Sequence, residues 1–180
     1  MMNRLTQKAP SAVMIDGAFY PVNTDFRACI LTAMAIEDPK LADWEKAEIL
    51  IENLYSEPYP ENIQKAVELG FKFLSCGETT RNSRNEKLCD LQQDSRFIYA
   101  ALLKAGVDLS KPMHWWDFMA HFSEIPESTF SRIVYLRMQH NKGKLTKEER
   151  AECDRMGWDI INFTSDAKEK ETLDKYFFGE

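Results

Sequence analysis

Apolar side chains recur three and four residues apart in segment after segment of this chain, the spacing of α-helices with one buried face. Phe26, Cys29, Ile30 and Ala33 form the first run, Trp44, Ala47, Ile51 and Leu54 the second, and Ile63, Val67, Phe71 and Leu74 the third. Phe97, Ile98, Ala101, Leu102 and Ala105 make a fourth, and Trp115, Phe118, Met119 and Phe122 a fifth. Such a chain folds as packed helices, because each stripe must be covered by another element. Thr24 is placed to cap the first helix. The second starts near Leu41, and the prolines of Ser56-Glu57-Pro58-Tyr59-Pro60 break the chain after it. Gly106 stops the fourth. Pro112 suits the first turn of the fifth, and Pro126 ends it. A sixth helix is expected over residues 128–138. Thr146-Lys147-Glu148-Glu149 has the capping-box form that opens the last.

One segment breaks the helical pattern. Val13-Met14-Ile15-Asp16-Gly17-Ala18-Phe19-Tyr20 has two short apolar arms around Asp-Gly, a dipeptide that accepts the positive φ angles of a two-residue hairpin turn. Pro21 ends the second arm. The expected fold class is therefore mainly α: six to seven helices with a short N-terminal β-hairpin. Residues 76–87 contain no large apolar side chain and read as a joint. The expected organisation is a hairpin with helices over 1–76, a polar joint over 77–90, a helical part over 91–162 and a charged tail over 163–180.

At 180 residues the chain can bury a core without staples. Cysteines 29, 76, 89 and 153 form no CxxC and no short ligand spacing, which argues for reduced thiols and against a disulfide framework or zinc ribbon. No apolar run approaches the roughly 18 residues of a membrane span, and the first residues lack the apolar core of a secretion signal. A net charge of -6 disfavours generic attraction to nucleic acid or anionic lipid. The charge is uneven: residues 37–68 hold nine acidic residues against three lysines, whereas residues 131–147 hold five basic residues and no acidic one. That asymmetry suits solvated helix faces, and it also suits partner docking or head-to-tail self-association.

Candidate chemistry is sparse. His114 and His121 lie two helical turns apart, but a metal site needs further ligands and none is adjacent. No cysteine has neighbours that suggest activation as a nucleophile. Glu148-Glu149 falls in a predicted first helical turn, where negative charge favours the dipole, and Glu37-Asp38 precedes Pro39 in a predicted loop. No phosphate-binding glycine loop, GxSxG or HExxH occurs. No catalytic, metal or cofactor-binding residue is expected, and the chain reads as a non-enzyme.

Trp115-Trp116 carries more information. Neighbours on a helix point about 100° apart, so both indoles cannot share one narrow stripe. Either both are core, with the second at an inter-helix contact, or Trp116 is an aromatic contact for a partner. Arg132, Arg137, Lys142, Lys144 and Lys147 could combine with these rings into a single-stranded nucleic-acid groove, but the overall acidity opposes it.

Asp16-Gly17-Ala18-Phe19-Tyr20-Pro21-Val22-Asn23-Thr24-Asp25-Phe26-Arg27, the block His114-Trp115-Trp116-Asp117-Phe118 and its flanking helices occur in an order and spacing that resemble the small siphophage tail proteins encoded just ahead of the tape-measure protein and classed as tail assembly chaperones. The resemblance runs from about Ile15 to Trp158. It implies a factor of the host cytoplasm that engages the tape-measure protein, keeps its hydrophobic helices from aggregating and helps bring tail-tube subunits to it. It implies no catalytic residue. The residues expected to meet a protein partner are Trp116, Arg132, Arg137, Tyr176 and Phe177. A structural tail component kept in the virion and a small nucleic-acid-binding regulator are the alternatives.

Overall fold

Asp16 and Gly17 both take positive φ, +48° and +88°, and so close the hairpin that their dipeptide predicts. Strands β1 (Ala12–Ile15) and β2 (Ala18–Pro21) pair antiparallel, with Ile15 opposite Ala18 and Ala12 opposite Pro21. The computed structural model describes residues 4–78 and 87–162. Among the described residues the rest of the regular structure is helical, in eight helices. They are α1 (Phe26–Glu37), α2 (Asp43–Leu54), α3 (Ile63–Leu74), α4 (Ser95–Lys104), α5 (Trp115–Ser123), α6 (Thr129–Asn141), α7 (Lys147–Met156) and α8 (Trp158–Ile161). None is long and apolar enough to cross a membrane.

The chain forms two compact units, and neither is one continuous stretch. The first takes Met1–Arg84 and Leu102–Ile125, the second Asn85–Ala101 and Pro126–Glu180. The chain thus passes between the units inside α4, between residues 101 and 102, and again before α6, between 125 and 126; the expected polar joint lies mostly outside the described residues.

In the first unit, α1 packs on α2 and α5, and α2 on α3. The cap of α1 is Asp25 rather than Thr24: its carboxylate accepts the Arg27 N–H at 2.8 Å. Thr24 is used elsewhere, its carbonyl accepting the Trp115 N–H at 2.7 Å. With Phe26 N–H donating to Met113 O at 3.1 Å, this bond fixes the start of α1 against the start of α5. Phe26 then stacks on Phe118, ring centroids 5.0 Å apart.

Helices α2 and α3 run antiparallel. The Tyr55 hydroxyl donates to Ala66 O at 2.7 Å, and one turn further along α3 a Cβ on Gly70 would lie 2.6 Å from Leu50 Cδ2. The helices meet through small residues. Ala66, Gly70 and Phe73 are the buried residues of α3; of the expected stripe, Val67 and Leu74 are half-buried, while Ile63 and Phe71 are exposed. On α2 the buried residues are Leu50, Ile51 and Leu54, while Trp44, expected in that stripe, is 68% exposed. Gly70→Val should therefore force its new atoms into the fully buried Leu50 and cost about 1–3 kcal/mol. Urea denaturation measures this. Adding Leu50→Ala should make the double variant less damaged than the two single losses summed.

In the second unit, α8 packs on α6 and α7. Leu136, Cys153 and Ile161 form a buried cluster, with Leu145, Met156 and Trp158 against it. The predicted capping box holds: Thr146 Oγ1 accepts the Glu149 N–H at 3.1 Å, and the Glu149 carboxylate accepts the Thr146 N–H at 2.9 Å. The four-residue α8 is not visible in the apolar spacing, being too short for a repeat.

Candidate partner-binding surface

An α-helix leaves its last four carbonyls without partners in the helix, and the end of α3 shows what the tryptophan pair does. Phe71 O accepts from Ser75 N–H at 2.9 Å and Lys72 O from Gly77 N–H at 2.8 Å. The Trp116 indole N–H donates to Phe73 O and the Trp115 indole N–H to Leu74 O, both at 2.9 Å. Two adjacent residues at the start of α5 thus close the end of α3. Trp115 also stacks on Phe118, with centroids 5.6 Å apart. His114 caps α5 by accepting the Trp116 N–H on Nδ1 at 3.1 Å, and its Nε2 lies 3.1 Å from Pro10 O. The neutral tautomer with hydrogen on Nε2 satisfies both contacts. Pro112 precedes the helix instead of lying in its first turn.

Trp116 is 7% exposed. The Arg4 guanidinium lies 5.0 Å from its ring centroid and pairs with Asp117 at 2.9 Å. Trp116, expected as a contact residue, is therefore committed to internal contacts in this conformation. Arg137 is likewise internal, at 1% exposure. Its Nη1 and Nη2 donate to the Asp94 carboxylate at 2.6 and 2.8 Å, and further bonds reach the carbonyls of Leu88, Ile160 and Ile161. Asp94 in turn accepts the Asp90 N–H at 2.9 Å. Arg137 thus ties the turn before α4 to α6 and α8. Arg132 keeps a solvent-facing guanidinium, but Glu152 grips it at 2.6 Å and Tyr135 lies beneath it, 4.9 Å to the ring centroid. Hydrogen bonding from Arg132 holds the Glu152 carboxyl below its usual range. Tyr176 and Phe177 lie outside the described residues. Among the described members of the expected set, Trp116 and Arg137 are internal and Arg132 keeps a solvent-facing guanidinium.

Burial disfavours the thiolate at Cys29 and Cys76. Burial pushes the Cys29 thiol up to about 12 and the Cys76 thiol up to about 11, opposite to the depression a nucleophile needs. Among the described residues no group of three His, Cys, Asp or Glu side chains is placed to hold a metal ion.

Exposed apolar surface appears at three positions where the spacing predicts core: Trp44 on α2, and Ile63 and Phe71 on α3, which are 50% and 45% exposed; Leu31 on α1, outside the predicted stripe, is 60% exposed. Scattered apolar side chains at a surface are ordinary; four large ones on three consecutive packed helices are a candidate for protein contact. The missed signal is the pair of small residues: Ala66 and Gly70 let α2 approach closely, and Ile63 and Phe71 turn outward.

The family model described as bacteriophage Gp15 protein matches residues 5–158. The chain belongs to that family, and is a bacteriophage protein. No curated protein and no solved structure matches it.

Proposed function

We propose that this phage protein is a tail assembly chaperone that binds the tape-measure protein in the host cytoplasm and assists tail-tube assembly without a chemical step. The observation that carries the reading is the set Leu31, Trp44, Ile63 and Phe71, apolar side chains exposed on a helical unit whose own core is closed by Phe26, Leu50, Leu54 and Trp115. Exposed aromatic and aliphatic side chains on a firm scaffold can cover the apolar stripe of a client helix before its final partner arrives. A tape-measure chain is long and helical, and its stripes have nothing to pack on until the tube forms. Arg132, with Tyr135 beneath it, remains the proposed polar contact of the second unit.

Co-expression tests this. A tape-measure fragment from the same phage that is insoluble alone should stay in the supernatant when this chain is present. Trp44→Ser combined with Phe71→Ser should return most of it to the pellet. Equal pelleting with and without the chain overturns the proposal. Abundant chain in purified virions overturns it in favour of a structural tail component.

A further inference from the structure

Helix α2 is the most lopsided element of the first unit in charge. It carries Asp43, Glu45, Glu48 and Glu52 against the single Lys46. Glu45 is used at the helix start, where its carboxylate accepts the Ala42 N–H at 2.7 Å. Glu48 and Glu52 are exposed, and among the described residues neither forms an ion pair. They follow Trp44 at intervals of four, so the three side chains form one line along the outside of α2. On α3, packed antiparallel beside it, Ile63, Val67 and Phe71 repeat the same interval, with both ends of the line exposed. The α2–α3 pair therefore offers an apolar line and a line that passes from an indole to two carboxylates.

We infer that this pair is the docking surface for a basic amphipathic helix of the client, an inference that rests on the chaperone reading and names the chemistry of its partner. A helix with an apolar stripe would set that stripe against Trp44 and Phe71. Lysines or arginines flanking the stripe would meet Glu48 and Glu52, and their methylene stems and cationic heads fit the open face of Trp44. A neutral or acidic helix would leave both carboxylates facing apolar or like-charged groups, so the surface discriminates by sign as well as by hydrophobicity. The charge excess of α2 is thus a selectivity device, where solubility alone would be served by charges of mixed sign.

Two labelled synthetic peptides test this against the full chain by fluorescence anisotropy. Both carry the same leucine stripe on an alanine helix; one has lysines at its flanks, the other glutamates. The lysine peptide should bind at least tenfold more tightly at low salt, and the preference should shrink as salt is raised. Glu48→Lys with Glu52→Lys should abolish or reverse the preference, and Trp44→Ser should weaken the lysine peptide about tenfold or more. All three substitutions are at exposed positions, and unchanged circular dichroism shows that each variant is folded. Equal binding of the two peptides, or lysine-peptide binding that ignores both variants, overturns the inference. If neither peptide binds, and sedimentation shows that the same variants dissociate an oligomer of the chain, the occupant is a second copy and the inference is again overturned. The tape-measure co-expression result is read separately. A fragment kept soluble without any charge preference leaves the chaperone reading standing and removes this one; a clear preference with a pelleted fragment does the reverse.

Discussion

Asp94→Ala is expected to destabilise the protein by about 3–5 kcal/mol, because it removes the buried carboxylate that the interior Arg137 guanidinium pairs with. The geometry makes the effect large. Arg137 is 1% exposed, and the carbonyls of Leu88, Ile160 and Ile161 that it also reaches supply dipoles where the carboxylate supplies charge. Arg137→Leu should cost a similar amount by leaving the Asp94 carboxylate buried and unpaired. The informative variant is the pair Asp94→Leu with Arg137→Met. If the ion pair mainly fixes which segments meet, the double replacement recovers much of the loss, since apolar side chains of similar size can substitute for a buried pair. Guanidinium denaturation followed by circular dichroism measures all three. A loss below about 1 kcal/mol in both single variants would mean that water reaches the pair and the site is not closed.

Trp115→Ala should be comparably severe, at about 3–5 kcal/mol, through the cavity left beneath Phe118 and the loss of the donor to Leu74 O. Trp115→Phe separates the two contributions. It keeps a ring in the stack but orphans the carbonyl, for an expected cost of about 1–3 kcal/mol. Trp116→Ala is expected to fall in the same severe range as Trp115→Ala, because its indole closes the neighbouring carbonyl of α3 from an equally buried position. A Trp116 variant of near wild-type stability with impaired client binding would show that this residue leaves the interior during function. Chemical denaturation beside the co-expression assay distinguishes these results.

The hairpin and several helix starts are legible in the sequence because each depends on residues within a few positions of one another. Asp16-Gly17 accepts the turn's dihedrals by itself, and the Thr146 cap needs only Glu149 three residues on. The start of α1 is off by one residue for an equally local reason: Asp25 offers a charged acceptor next to the hydroxyl of Thr24, and the Thr24 backbone is drawn away to Trp115. The exposed apolar side chains are less legible. Large apolar residues at helical spacing look like core, and on α3 that inference takes in Ile63 and Phe71, which are exposed.

Local chemistry in the chain determined that this protein would be helical with one hairpin, and where most of those elements begin and end. Membership of a phage family agrees with the resemblance carried by its aromatic blocks. Only the tertiary structure decided which faces turn inward. The fully buried Leu50 side chain occupies space that Gly70 leaves open, so α3 presents its small residues to α2 and exposes Ile63 and Phe71. In the same way, a cationic Arg137 becomes an interior residue because Asp94, 43 positions away in the chain, meets it in bidentate register. Side-chain volume and charge balance act between segments distant in sequence, and residue spacing along one helix carries no record of the partner.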